Sequence, residues 1–372
     1  MWPVGKPSED LDQDGISDAY ERQIADRFKP IFHLNKDGVY RPASVKFFVE
    51  QSALQTPEGA KAPASISEVL KSIAGKDSQT FRLEPRPRFD PEHSDAEAKR
   101  EKVTVFYRVF RPDGGTFVFK PESGCEYLAI QYYFFCFFSD ADFPANAGDH
   151  DGDWECMDLS LIVKAPPGHP AAAATYDIPI VHSAVFHNHG RELFADSIHH
   201  KKLDLDKSLR LNVYLENNAN EPWPNAGGSG FGGWPAAPGF LANKRFEKST
   251  GIDFPWSPRE DRIAREHQAG PPVSDYELQN LGERDHPMPQ DVARFVMTYA
   301  GKYGNYAPNV DKYAPVLKVL DIPRNDPPEG PRFQAKMWDR KFEGAALPFQ
   351  GEDAWLEWKG GEAPVKTESP PK

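Results

Sequence analysis

Three long stretches of this chain set the pattern of apolar and polar positions. Residues 103–110 place Val103, Val105, Tyr107 and Val109 on one side and Thr104, Phe106, Arg108 and Phe110 on the other, so both sides carry large apolar groups. Residues 128–138 are apolar on both sides, as in a central strand packed between two layers. Residues 153–163 alternate and open with two acids, Asp153 and Glu155, around Trp154. Shorter strand-like runs lie at 31–34, 45–49, 116–120, 178–186, 209–215, 315–320 and 354–358. Turns bearing Pro and Gly separate them, and 36 prolines disfavour helical connections. The pattern predicts a mainly β chain: a β-sandwich with a few peripheral helices and long Pro/Gly-rich loops.

Helical signals are few. Ser65 followed by Glu68 forms a capping box ahead of 66–74, with Gly75 as the stop. Ser257-Pro258-Arg259-Glu260 starts a second helix that Gly270-Pro271-Pro272 ends. Residues 291–300 carry Val292, Phe295, Val296 and Tyr299 on one face, which predicts packing on the core. Three regions follow: an N-terminal acidic loop at 1–25, one sandwich domain at 26–360 with a loop and helix insertion at about 219–290, and a polar tail at 361–372 expected to be disordered. Within the insertion, 219–240 is rich in Pro, Gly and aromatics. Trp223 and Trp234 there are candidates for stacking on a sugar or dipping into a lipid surface; plugging the sandwich edge is the alternative.

Two acidic clusters carry candidate chemistry. In the first, Asp142, His150, Asp153 and Glu155 gather around the start of the 153–163 strand. Asp153 and Glu155 share a face about 7 Å apart, at roughly 3.3 Å per residue, and carboxylates that close repel unless a cation lies between them. His150 is placed on a glycine-bearing turn at 147–152, expected to bring its ring over Asp153. Oxygen donors with one imidazole suit Mg²⁺, Mn²⁺ or Ca²⁺ in an open site; a solvated acidic loop is the plain alternative. His187 and His189, in or just after the 178–186 strand, are candidates to complete the shell or act as general base toward metal-bound water.

The second cluster runs from Asp10 to Glu21. Asp10, Asp12, Asp14, Asp18 and Glu21 fall at positions 1, 3, 5, 9 and 12 of an EF-type calcium loop, with Gly15 at position 6 and the Ile16 carbonyl at position 7. A single such loop reads as a structural Ca²⁺ clip.

The segment 129–135 followed by Gly148-Asp149-His150-Asp151-Gly152-Asp153-Trp154-Glu155 resembles two related families. One is the vacuolar protein sorting-associated protein sixty-two family, which has an aromatic strand and then His-Glu-Gly-Asp-Trp-Glu. The other is the necrosis- and ethylene-inducing peptide-like proteins, secreted cytolysins with the signature Gly-His-Arg-His-Asp-Trp-Glu. The first resemblance extends to 25–34, 40–45, His182, 185–190, 299–305 and 330–331; the second spans the motif region alone. The cytolysin resemblance implies that Asp153, Glu155, His150 and an upstream acid near Asp142 hold a divalent cation. Gly152 stands where that signature has its second His, a departure that speaks against cytolysis.

Charge and cysteine content narrow the partners. A net charge of -12 and the lack of clustered Lys and Arg argue against nucleic acid. Residues 199–202, His-His-Lys-Lys, are read as a solvated turn. No apolar stretch is long enough for a membrane-spanning helix, though peripheral membrane contact stays open. Residues 1–4 lack the marks of a signal peptide; the calcium loop and the cytolysin resemblance favour a secreted or periplasmic setting. Cys125, Cys136 and Cys156 are too few for a disulfide scaffold, and Cys136 and Cys156 read as buried thiols. Two functions follow. The first is a secreted, cation-dependent binding protein or toxin-like factor that recognises a glycan, glycolipid headgroup or small molecule. The second is a metal-dependent hydrolase of phosphoesters or glycosides using the same site. No nucleophile elbow or phosphate-binding glycine loop is present.

Overall fold

The computed structural model describes residues 9–35, 41–63, 65–86, 102–112, 121–139, 150–188, 191–196, 198, 203–215, 220, 222–223, 269–305, 327–338 and 347–348. Its strands are β1 (Ile31–Asn35), β2 (Ser52–Thr56), β3 (Gly59–Pro63), β4 (Arg82–Pro85), β5 (Thr104–Phe110), β6 (Glu126–Ser139), β7 (His150–Lys164), β8 (Ile180–Asn188), β9 (Arg191–Asp196), β10 (Asn212–Leu215), β11 (Pro222–Trp223), β12 (Ala269–Val273), β13 (Glu277–Asn280), β14 (Lys302–Tyr303) and β15 (Leu347–Pro348). Its helices are α1 (Asp18–Arg27), α2 (Val45–Glu50), α3 (Ile66–Ile73), α4 (Asp291–Thr298) and α5 (Ala335–Trp338).

A seven-stranded sheet in the order β13-β5-β6-β7-β8-β9-β15 forms the middle layer. The antiparallel pair β6 and β7 runs down its centre, with Cys136 opposite Asp153 and Phe135 opposite Trp154. Alternation sorts the side chains of these strands onto two cores. Val105, Tyr107, Tyr132, Phe134, Cys136, Met157 and Leu159 pack against α1 and against Phe32 and Val213 of a four-stranded sheet, order β11-β10-β1-β12. Phe106, Tyr133, Phe135, Trp154 and Cys156 pack on the other side against α2, α3, α4 and the sheet β14-β4-β2-β3. The molecule is therefore mainly β, a layered sandwich with a few short helices, and doubly apolar β6 follows from its burial on both faces.

Local chemistry explains most element boundaries. α3 has the expected reciprocal capping box: Glu68 N–H donates to Ser65 Oγ at 3.3 Å, and Ser65 N–H donates to Glu68 Oε2 at 2.8 Å. α4 buries Ala293, Phe295, Val296 and Met297, so its apolar face meets the core as the pattern predicts. The 45–49 run, expected as a strand, is instead the helix α2. Ser44 Oγ caps it by accepting from Phe47 N–H at 3.2 Å, and Val45, Phe48 and Val49 are buried at helical spacing. The 209–215 strand begins only at Asn212, because Asp206 Oδ1 accepts from the Ser208 and Arg210 N–H groups and holds Leu209 at φ 65 in a turn. Pro271 and Pro272, read as a helix stop, lie in β12 at the edge of its sheet, where one of the two nitrogens can face outward and the pairing with β1 shifts register between His33 and Asn35. Residues 269–280 thus supply strands to two sheets from within the span read as an insertion. The strands at 116–120, 315–320 and 354–358, the helix after Ser257 and the tail at 361–372 lie outside the described residues.

Candidate metal centre

The 10–21 segment folds as a closed loop because its own acids staple its backbone. Asp10 Oδ2 accepts from Gly15 N–H at 3.0 Å, Asp14 Oδ1 from Ile16 N–H at 2.6 Å and Asp18 Oδ1 from Leu11 N–H at 2.9 Å. Gly15 takes the left-handed conformation at φ 85 that the turn requires. Ser17 then caps α1, and Ile16, Tyr20 and Ile24 anchor the loop and helix in the core.

The staples leave the second oxygens of Asp10 and Asp14 inside, beside oxygens of Asp12 and Glu21. Asp10 Oδ1, Asp12 Oδ1, Asp14 Oδ2 and Glu21 Oε1 are buried with no hydrogen-bond partner. Asp10, Asp12 and Asp18 offer oxygens that all lie within 4.8 Å of one another, the one such acid, His or Cys group among the described residues. Burial is the main reason titration in the loop moves. It pushes Asp12 up to about 8, reinforced by Asp14 and Asp18, and Asp14 up to about 7 against the lowering bond from Ile16. Glu21, fully buried, is raised to about 10 by burial and then by Asp12 and Asp14. Buried carboxylates of this kind call for protons or a cation. An all-oxygen donor set on a flexible loop fits Ca²⁺. Asp14 and Glu21 stand outside the tight Asp10, Asp12 and Asp18 group, although their charges reach it.

The loop's far wall was not visible from its motif. Asn280, at the end of β13, donates through Nδ2 to Glu21 Oε2 at 2.9 Å and accepts from Gly282 N–H at 3.0 Å. Gly282 has φ +71, and a Cβ there would lie 3.1 Å from Asp12 Cβ and 2.7 Å from the His286 carbonyl oxygen. The Asn-x-Gly spacing marks a turn in the sequence, but only the parallel pairing of β13 with β5 delivers it to the loop.

The Asp-Trp-Glu strand is arranged differently from expectation. Asp153 and Glu155 share the face of Cys136 and Met157, as alternation requires. Asn220 Nδ2 reaches Asp153 Oδ2 at 3.2 Å and the Phe138 carbonyl at 2.9 Å. His150 is the first residue of β7 rather than part of a turn, paired with Ser139 on the opposite face, with Nδ1 2.8 Å from the Gly152 carbonyl oxygen. The structure therefore does not bring His150 to Asp153 and Glu155. His187 also points away from Glu155, with Nε2 2.8 Å from Asp158 Oδ2 in a buried pair. Asp142, His189 and Trp234 lie outside the described residues, and Trp223 is placed in β11 opposite Tyr214. Cys136 and Cys156 are buried free thiols and Cys125 is a partly buried one. No described helix is long and apolar enough to cross a membrane.

No protein-family model and no curated protein matches the chain. Among solved structures it is similar to the "Crystal structure of non-toxic HaNLP3 protein", at 12% identity and a TM-score of 0.26, over 52% of this chain. The likeness spans 62% of that chain and assigns no activity; neither family resemblance of the motif region is established by it.

Proposed function

We propose that the protein is a calcium-dependent binding protein whose 10–21 loop holds Ca²⁺ as a clip between α1 and β13. The buried, unpartnered oxygens of Asp10, Asp12, Asp14 and Glu21 carry this reading. Bound calcium would neutralise charge that burial otherwise penalises, and the loop pattern gives position 7, where such loops use a backbone carbonyl, to Ile16. Ligand recognition is assigned to the start of β7 around Asp153, Glu155 and Asn220, which are buried, with the Asn220 amide donating to the Phe138 carbonyl and Asp153, so the hydroxyls of a glycan or glycolipid headgroup would have to displace these contacts. That role fits a secreted or periplasmic, toxin-like factor. Of the two candidate bases for a hydrolase, His187 is engaged by Asp158 on the other face of the sheet from Glu155, which leaves that reading to His189 alone.

Calorimetric titration of the chelated protein with Ca²⁺ tests the loop. Saturable binding that Asp12→Asn removes supports it, and absence of binding at millimolar calcium refutes it. A glycan array read with wild type and Glu155→Ala tests the ligand assignment; identical retention by both would reject the β7 site.

A further inference from the structure

The turn between β7 and β8 is fastened by one carboxylate. Glu122 Oε2 lies 2.8 Å from His169 Nε2, and Glu122 Oε1 lies 3.1 Å from Nε2 of His182 in β8. The N–H of fully buried Ala171 donates to His169 Nδ1 at 3.0 Å. A ring nitrogen that accepts carries no proton, so His169 is neutral here and donates to Glu122 through Nε2. Ala171 and Ala174 pack on Tyr127 and Ile162, a small apolar cluster apart from the two main cores, with Cys125 beside it. We propose that residues 166–174 form an acid-opened flap: a solvent proton taken up by His169 breaks the Ala171 bond and frees the turn from this cluster.

Imidazole is the side chain that takes up a proton between about pH 5 and 8. On His169 Nδ1 that proton would point at the Ala171 N–H, donor against donor, and a buried N–H without an acceptor is costly. The gain on the other nitrogen is small, because Glu122 is 26% exposed and also holds His182. An open turn accepts the proton without this conflict, so falling pH favours opening. The Ala172 N–H donates to the His169 carbonyl at 2.9 Å and the Ala174 N–H to the Ala171 carbonyl at 2.8 Å, so these bonds loosen with it. His182 is different. Its Nδ1 faces Ser183 Oγ at 3.0 Å, and a hydroxyl can turn from donor to acceptor. A proton there leaves the backbone in place, and its charge adds to the conflict in the closed turn.

The other titratable groups around the flap are moved away from that pH range. Burial pushes up the Cys125 thiol and the Tyr127 and Tyr176 hydroxyls. Bonds from Tyr176 and then Lys164 hold Glu126 down, and the bond to Glu126 holds Lys164 up. The two imidazoles on Glu122 are therefore the groups through which mild acid acts on this turn.

Amide hydrogen exchange of the full chain, followed by mass spectrometry and corrected for the intrinsic effect of pH on exchange, is the test. Between about pH 7.5 and about pH 5 the amides of 169–174 are expected to lose about tenfold in protection, the scale of one lost hydrogen bond, while β6 and β7 keep theirs. His169→Asn puts an amide oxygen near the place of Nδ1, and Asn accepts from the N–H two residues on at any pH. That variant is expected to stay protected at low pH. A wild-type turn that keeps its protection, or an equal loss in the variant, overturns the flap. If the variant fails to fold, nitrogen chemical shifts of the wild-type His169 ring decide. A ring that gains charge as the turn opens supports the flap, and opening with the ring still neutral overturns it.

Discussion

Asn280 Nδ2 donates to Glu21 Oε2 at 2.9 Å, joining β13 to α1 across 259 residues of sequence. It favours the ionised form of an acid that burial raises to about 10. Replacing Asn280 by Ala should destabilise the protein by about 1–3 kcal/mol, the usual cost of stranding a buried polar group. Calcium affinity should fall as well, because Glu21 then keeps its proton more firmly. Urea unfolding with and without calcium measures both effects; unchanged stability in both buffers would show that Glu21 does not depend on this bond.

The pH dependence has a definite sign. In the folded state Asp14, Asp12 and Glu21 titrate near 7, 8 and 10, against ordinary values of 3.8, 3.8 and 4.5. Between the ordinary and the raised value the folded chain holds protons that the unfolded chain has released, so stability falls as pH rises. Without calcium the melting temperature should decline from about pH 5 upward. With calcium the decline should shrink, and the gap between the two conditions should widen toward pH 9 as the ion displaces protons. Melting curves in calcium and in chelator across that range check it; parallel curves would contradict the assignment.

Gly152 cannot carry the His that the cytolysin signature has at that place. Its φ is +68, and an added Cβ would lie 2.3 Å from the Tyr303 carbonyl oxygen. Gly152→His should therefore lower the yield of folded protein sharply and give no gain of membrane-permeabilising activity. Soluble expression and vesicle leakage measure the two outcomes, and a well-folded variant would show that the β7 to β14 contact yields more easily than its geometry implies.

Trp154, 1% exposed, is packed between Phe135, Phe106 and Tyr303, with ring centroids 5.1, 5.8 and 5.7 Å away. Trp154→Ala should cost about 3–5 kcal/mol, as other large truncations in cores do. Chemical denaturation reads this directly. A loss below about 1 kcal/mol would mean that the surrounding rings collapse into the space.

The sequence showed the central strands, the capping of α3 and the calcium-loop spacing because each is a local pattern with a local physical cause. It misled where a short apolar run fits two periods. Residues 45–49 read as a strand, but the Ser44 cap and the Lys46–Glu50 pair at helical spacing decide for α2. Two nearby glycines suggest a turn at His150, but pairing with Ser139 extends β7 through it. Asn280 and Gly282 were invisible as parts of the loop wall, since a contact made by parallel strand pairing leaves no mark in sequence spacing.

Cys136 and Cys156 face opposite cores across the same sheet, so no disulfide can form between them without taking the sheet apart. Alkylating reagents should reach either sulfur only when the central strands open, which makes the rate of labelling a direct clock for that opening and a way to ask whether calcium slows it.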